Sequence, residues 1–299
     1  MQICSFLPSA TEILYALGLE KSVAGVTFEC DFPPDAATKT VVVSTNLAHD
    51  LTSAGIDHDV SQHSSHGESL YRVDIQKLET IKPDLIVTQE LCDVCAISTS
   101  YVAKAVHQLS SKPQVLSLTP HTLEDVLQDI LRVGEATDRG TEARALVSSL
   151  RERIANVSRT QKTQQPTVVC LEWLSPPFNG GHWIPEMIDL AGGVDPLGQL
   201  GKDSYRMDWD RVLRVDPDVV LVMPCGHNLE RSIKEYHATK FPEGWKQVKA
   251  VRNGRTYAVN ASAYFSRPGP RLVTGLEIMH SLLQDDRPQE PLESSWSRL

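Results

Sequence analysis

The sequence lacks several features that mark large protein classes. It has 29 basic against 38 acidic residues, a net charge of −9, which argues against nucleic acid or an anionic membrane as its main partner. No apolar run approaches the roughly 20 residues that span a bilayer, so the sequence predicts a protein that is not embedded in a membrane. The first residues, MQICSFLPSATE, show neither the basic nor the long apolar region of a secretory signal. They therefore predict a cytoplasmic location, with a periplasmic or cell-surface location as the alternative if the native start lies upstream.

Common catalytic motifs are also missing. There is no G-x-S-x-G elbow, no G-x-x-x-x-G-K-[ST] loop and no G-x-G-x-x-G after the first strand. This absence favours a binding protein over an enzyme. Composition is otherwise that of a globular protein, with 41% hydrophobic and 22% charged residues over 299 positions, enough for two domains.

A phrase of about twenty residues occurs twice, at 73–92 and at 207–226. In both copies an aspartate precedes a short amphipathic segment, which leads through Pro-Asp into an aliphatic run (LIVTQ or VVLVM). Each copy predicts a helix followed by a buried strand. A duplicated helix–strand unit indicates two similar lobes, with the function expected in a cleft between them.

Short apolar strands alternate with helical segments along the chain, a pattern typical of α/β proteins with parallel sheets covered on both faces. The predicted strands are Ile3–Phe6, Val23–Thr27, Val41–Val43, Leu85–Thr88, Val115–Leu118, Val168–Trp173, Val219–Met223 and Thr256–Val259. The expected domains are an N-terminal α/β lobe over 1–120, a helical linker over 121–160, a C-terminal α/β lobe over 166–283 and a flexible tail over 284–299. Ser9 and Glu12 have the spacing of a capping box for the first helix.

Ligands of parallel α/β sheets bind beyond the carboxyl ends of the strands, so residues at these positions are the candidates. Four of the six cysteines lie there, namely Cys30, Cys92, Cys95 and Cys225. Thiolates of this kind hold zinc or iron, although a single C-x-x-C is also compatible with loop thiols that pack or touch a ligand. Cys4 and Cys170 lie within strands and are predicted to be core residues. Glu29 and Glu90 are candidate ligands or acids.

Aromatic side chains gather in the second lobe. Trp183 and Phe265 stand in irregular sequence beside Gly, Pro and Arg, where aromatic rings suit a large flat ligand. Core packing is the alternative for each of them. His182, after Gly180-Gly181, is a candidate for metal or ligand binding, and Arg267 for a carboxylate or amide group, with ordinary surface roles as the alternatives.

Five phrases resemble the Fe/vitamin B12 periplasmic-binding family of receptors, closest to those that feed cobalamin to ABC importers. They are SFLPSATEILYALGL, KPDLIVTQ, DPDVVLVM, NGGHWIPEMIDLAGG and AYFSRPGPRLVTGLEI, within residues 1–283. The resemblance implies two Rossmann-like lobes joined by a rigid helix, with a corrinoid held non-catalytically in the cleft between them. The contacts it implies are Phe178, His182 and Trp183, then Tyr264, Phe265 and Arg267, and from the other lobe Gln89, Glu90, Cys92 and Cys95.

The resemblance also implies a small-molecule corrinoid ligand, cobalamin, and an ABC importer permease as partner, which Glu230 would contact from the second lobe. Two alternatives stay open. One is a metalloenzyme or metal-binding protein that holds zinc or iron with Cys92, Cys95 and either His182 or Cys225. The other is a receptor for an iron chelate or haem.

Overall fold

A computed structural model of the protein describes residues 1–46, 55, 59, 70–89, 99–159, 165–284 and 295–299. The chain forms two compact units. The first contains residues 1–120 and 124–148, and the second contains residues 121–123 and 149–299. Each unit is built around one β-sheet, as expected for an α/β protein of two lobes.

The first unit contains a six-stranded sheet in the order β4-β3-β2-β1-β5-β6. Its strands are β1 (Ile3–Ser5), β2 (Val23–Thr27), β3 (Thr40–Thr45), β4 (Tyr71–Val73), β5 (Leu85–Gln89) and β6 (Gln114–Leu118). The helices are α1 (Pro8–Ala16), α2 (Ile75–Ile81), α3 (Thr99–Gln108) and α4 (Leu123–Ala136), with a 3₁₀ turn over Pro34–Thr38. All strand pairs are parallel except β3 with β4.

The second unit contains a five-stranded sheet in the order β11-β10-β9-β7-β8. Its strands are β7 (Val168–Leu174), β8 (Pro177–Asn179), β9 (Val219–Val222), β10 (Thr256–Val259) and β11 (Trp296–Arg298). The helices are α6 (Ile184–Leu190), α7 (Trp209–Val215), α8 (Leu229–Ala238), α9 (Lys249–Arg252), α10 (Ala261–Tyr264) and α11 (Leu272–Leu283). The central strands β7, β9 and β10 are parallel. Most of their residues are apolar and buried, because both faces of the sheet are covered.

The long helix α5 (Gly140–Arg159) follows α4 and passes from the first unit to the second at residues 148 and 149. Its second half is fixed by Arg153, whose guanidinium donates to both carboxylate oxygens of Glu277 at 2.8 and 2.6 Å. The same guanidinium donates to the hydroxyl of Thr274 at 2.9 Å. A bidentate arginine–carboxylate pair of this kind also fixes the orientation of the two side chains relative to each other. In the part of the chain that the structure describes, we find no helix with the length and apolar character needed to cross a bilayer.

The repeated phrase is the same structural unit in both sheets. Helices α2 and α7 each end at a residue in the left-handed conformation, Lys82 (φ 52°) and Asp216 (φ 47°). The aspartate of each Pro-Asp then accepts a hydrogen bond from the backbone N–H just before the neighbouring parallel strand. Asp84 accepts from Gln2 at 2.6 Å, and Asp218 accepts from Thr167 at 2.9 Å.

This explains why Pro-Asp occurs at both places. The carboxylate holds the start of β1 or β7 in register with β5 or β9, while the backbone N–H groups of the two aspartates donate back to the carbonyls of Gln2 and Thr167. The duplicated residues therefore belong to the scaffold of each sheet.

The first helix departs from the predicted capping box. Helix α1 begins at Pro8, with Leu7 in the N-cap position and no side-chain cap. Ser9 and Glu12 thus lie inside the helix, and both are buried. The proline accounts for this start, since its fixed φ and missing N–H suit the first helical turn.

The eight predicted strands are all present, with ends that differ by at most two residues. Three further strands, β4, β8 and β11, pair antiparallel at the edges of the sheets. The last of these lies in the segment for which the sequence predicts a flexible tail. Trp296 packs edge-on against Tyr257, with 5.7 Å between ring centroids, and this aromatic contact holds β11 on the sheet.

Candidate ligand-binding site

The carboxyl ends of β7, β9 and β10 lie at one edge of the second sheet, and hydrogen bonds join the loops that follow them. The N–H of Cys225 donates to the carbonyl of Glu172 at 3.0 Å, which ties the loop after β9 to β7. The N–H of Ser262 donates to the carbonyl of His227 at 2.9 Å, which ties the loop after β10 to the loop after β9. This edge is therefore a connected surface, and the predicted residue Cys225 lies on it.

Trp183 and Phe265 lie in the interior of the second unit. They are 4% and 3% exposed, and the indole N–H of Trp183 donates to the carbonyl of Phe265 at 2.8 Å. This hydrogen bond joins the residue before α6 to the end of α10. Their burial agrees with the core packing that the sequence left as the alternative, and a ligand contact of either ring stays a prediction.

Phe178, Tyr264 and Arg267 are half-buried. Phe178, in β8, pairs with Trp173 of β7, and the guanidinium of Arg206 lies over its ring at 5.8 Å. Tyr264 ends α10, and a Cβ at Gly275 of α11 would collide with its carbonyl oxygen. These side chains keep part of an aromatic or polar surface accessible.

Glu172 is a carboxyl group held at the same edge. Its Oε1 accepts the N–H of Gly181 at 3.0 Å, and Ser204 also donates to it. Burial raises the pKa of Glu172 to about 7, since the two hydrogen bonds oppose this shift only in part. The group therefore takes up a proton near neutral pH.

His227 is a site residue that sequence reasoning missed. Its side chain is 1% exposed and packs against Trp173, with 5.6 Å between ring centroids. Within the described residues, neither ring nitrogen has a hydrogen-bond partner. Burial, and to a smaller extent the charge of Arg231, lowers the pKa of His227 to about 3, so the imidazole is neutral at physiological pH. The only signal in the sequence is its place five residues after the end of β9.

His182 lies beside two residues that the sequence did not connect with it. Its Nε2 is 3.2 Å from Oδ1 of Asp203, and its ring stacks on that of His121 with 5.8 Å between centroids. One ligand atom from each of these residues lies within 4.8 Å of the others. Burial lowers the pKa of His182, His121 adds to this, and Asp203 opposes it. His182 therefore has the neutral form that binds metals.

In the first unit, Glu29 is exposed after β2 and Gln89 is buried at the end of β5. Cys30 is buried, and its sulfur lies 3.0 Å from the hydroxyl oxygen of Thr11. Glu90, Cys92 and Cys95 fall outside the described residues.

The predicted cysteine metal site stays a prediction, because Cys92 and Cys95 lie outside the described residues. Cys225 is exposed and belongs to the second unit, whereas Cys30 belongs to the first. The residues with metal-compatible spacing in the described part of the chain are two histidines and an aspartate, without a thiol. Cys4 and Cys170 are core residues as predicted, and burial raises the pKa of the Cys4 thiol to about 12.

A family model described as periplasmic binding protein matches residues 3–263. The chain belongs to this family of periplasmic binding proteins. It is also 24% identical over 298 residues to an ABC transporter substrate-binding lipoprotein of Bacillus subtilis, covering 95% of this chain and 80% of the relative. A vitamin B12-binding protein of Vibrio cholerae is 23% identical over 292 residues, covering 95% and 89%.

Among solved structures, a periplasmic heme-binding protein from Roseiflexus superposes with a TM-score of 0.70 at 19% identity, covering 95% of this chain and 98% of that one. At this identity the likeness establishes the fold. Together, the family and the relatives make this periplasmic binding protein a substrate-binding protein of the ABC importer type. The relatives are binding proteins, in agreement with the prediction of a non-catalytic role.

The prediction of a cytoplasmic location is wrong. The family is periplasmic, and one relative is a lipoprotein that serves an ABC transporter. The error came from treating the first residues of the sequence as evidence of location, although their pattern only describes strand β1 and helix α1.

Proposed function

We propose that this periplasmic binding protein binds a corrinoid such as cobalamin and presents it to an ABC importer. The observation that carries the proposal is the set of half-buried aromatic and imidazole side chains at the carboxyl edge of the second sheet: Trp173, Phe178, His182 and Tyr264. The similarity to a vitamin B12-binding protein over 95% of the chain supports the same ligand class.

A corrinoid needs both an apolar surface and hydrogen-bonding groups, because its ring is broad and its edge carries amide side chains. Phe178 and Tyr264 supply rings that bury a large area with little loss of side-chain freedom. Arg267, three residues after Tyr264, supplies donors suited to amide carbonyls. The buried pair Trp183 and Phe265 holds the segments that carry these side chains.

The direct test is a titration of the purified protein with cyanocobalamin, followed by the absorbance of the corrin and by its retention with protein in gel filtration. We expect one equivalent to be retained. Phe178→Ala and Tyr264→Ala should each weaken binding by about 10-fold, which corresponds to about 1.4 kcal/mol. Absence of any retained corrinoid would refute the proposal.

Phe241→Ala is the matched control. Phe241 belongs to the same unit but stacks on Trp245, with 4.5 Å between centroids, in an aromatic cluster with Trp209 and Tyr236. It should leave corrinoid affinity unchanged in folded protein. Equal loss of affinity in all three variants would mean that the weakening reflects general destabilisation.

Haem is the competing ligand, and a parallel titration with haemin separates the two. Binding of haemin without retention of cyanocobalamin would mean that the ligand is a porphyrin and not a corrinoid. The proposed role as a transport receptor would then still stand.

We further propose that Glu230 contributes to permease contact. It is exposed in the first turn of α8, which begins after Asn228, whose side chain accepts the N–H of Arg231 at 2.9 Å. Glu230→Arg should retain full corrinoid binding but lose uptake in cells that depend on this protein for corrinoid. Unchanged uptake would exclude this contact.

A further inference from the structure

We propose that His121, His182 and Asp203 form a binding site for a divalent transition-metal ion of the zinc class. All three residues belong to the second unit, and one ligand atom from each lies within 4.8 Å of the other two. The site shares His182 with the proposed corrinoid contacts, and its test therefore uses the metal alone.

The donor set fits zinc. Two imidazoles and one carboxylate are common zinc ligands, with bond lengths of about 2.1 Å, and such bonds in a tetrahedron place neighbouring donor atoms about 3.4 Å apart. The 3.2 Å between Nε2 of His182 and Oδ1 of Asp203 matches this spacing. Three protein donors leave a fourth position for water or another small donor, and Asp203 is 75% exposed, which keeps an entry route.

The contact between His182 and Asp203 is not a hydrogen bond. The Nε2 atom is buried and has no hydrogen-bond partner within the described residues, although the carboxylate of Asp203 lies 3.2 Å away. A buried polar atom without a partner is costly. A cation between the nitrogen and the carboxylate would satisfy both groups at the observed distance.

The backbone around His182 holds the imidazole in place. His182 has a φ of 52°, an uncommon value for a residue with a side chain, and such conformations concentrate at binding sites. Its N–H donates to the carbonyl of Lys202 at 2.6 Å, and its carbonyl accepts the N–H of Gly201 at 3.1 Å. These bonds bring Asp203 beside the histidine, because Asp203 directly follows Lys202.

Two further contacts complete the support. A Cβ at Gly181 would collide with the backbone of Ser204, so the loop containing Asp203 packs directly against the residue before His182. The N–H of Leu123 donates to Oε2 of Glu186 at 2.7 Å and thereby holds the segment that carries His121. Ligands held in advance by their surroundings bind a metal without a large ordering cost.

The test is isothermal titration of metal-free protein with ZnCl₂, after dialysis against a chelator. The parent protein should carry Cys92→Ser and Cys95→Ser, so that thiolates do not compete for zinc. On this parent, His121→Ala and Asp203→Asn are the test variants. His237→Ala, which removes an exposed histidine of α8, is the control. Far-UV circular dichroism checks that each variant is folded.

We expect the parent and the control each to bind one equivalent of zinc. Both test variants should lose this zinc or bind it at least about 100-fold more weakly, because loss of even an outer partner of a metal ligand lowers the metal affinity by about 10–100-fold. Cobalt(II) should report the same difference through its visible absorption bands. Zinc binding of equal stoichiometry and affinity in the parent and in both test variants would overturn the proposal, and so would absence of zinc binding to the parent. Corrinoid retention, measured separately, bears on the proposed transport function and not on this site.

Discussion

Replacing the buried His227 by leucine should change how the stability of the second unit depends on pH. The imidazole is held neutral in the folded protein, with a pKa of about 3, whereas in the unfolded chain it titrates near 6.5. Between these values the unfolded chain binds more protons than the folded protein. The contribution of His227 to stability therefore falls as the pH is lowered through 6.5, and the decline continues until about pH 3.

The size of the effect follows from the two pKa values. Each pH unit within this window changes the free energy of unfolding by about 1.4 kcal/mol per proton. Between pH 7 and pH 5 the wild-type protein should lose about 2 kcal/mol through this group. His227→Leu should not lose it, and the leucine also removes two ring nitrogens that have no hydrogen-bond partner in the part of the chain that the structure describes. The stability of the variant relative to wild type should thus rise by about 2 kcal/mol over this range.

Tryptophan fluorescence is a suitable assay, because all five tryptophans lie in the second unit and report its unfolding selectively. Urea unfolding curves of wild type and His227→Leu at pH 7, 6 and 5 give the difference at each pH. His237→Leu, at an exposed histidine of α8, is the matched control and should show no trend. If the difference in free energy of unfolding between His227→Leu and wild type stays constant within about 0.5 kcal/mol from pH 7 to pH 5, then His227 is not a buried neutral imidazole in the folded protein.

Three further outcomes are expected from the same unit. Glu172→Gln should have the opposite effect: its free energy of unfolding relative to wild type should fall by about 2 kcal/mol between pH 7 and pH 5. The reason is that the pKa of Glu172 is raised to about 7, so that its protonation stabilises the folded wild type over this range. A difference that does not change with pH would contradict the burial of Glu172. Asp218→Ala should lower the free energy of urea unfolding by about 1.5–3 kcal/mol through loss of the bond from Thr167, and a change below about 0.5 kcal/mol would show that this bond is unimportant. In native protein, iodoacetamide should label Cys225 but not Cys170, as measured by peptide mass spectrometry, since Cys225 is exposed and Cys170 is buried. Comparable labelling of both would contradict the structure.

The α/β fold was predictable because its central strands are apolar on both faces. Val219–Val222 is fully buried, and such a run leaves a clear pattern in the sequence. The edge strands left no such pattern. Strand β4, for example, has one buried residue of three and pairs antiparallel through Val73 and Val43. Short half-exposed strands of this kind depend on their neighbour in the sheet more than on their own residues.

The site was predictable only where one segment carries its own signal. His182 stands out after two glycines, but its neighbours Asp203 and His121 come from distant positions that backbone contacts of the folded unit bring together. Trp183 and Phe265 show the reverse case. Both stand in irregular sequence, which led to the prediction of ligand contacts. In the structure both side chains are buried, and a hydrogen bond from Trp183 to Phe265 anchors the irregular segments in the core.

The second sheet ends on both sides in an antiparallel strand of three residues, β8 and β11. An edge of this length offers few free backbone groups to a strand from another molecule, and short edges are one way in which proteins avoid edge-to-edge aggregation. Loss of β11 would uncover the apolar strand β10, which is buried at all four positions. Truncation before Ser295 should therefore promote association of the protein through this edge of its sheet.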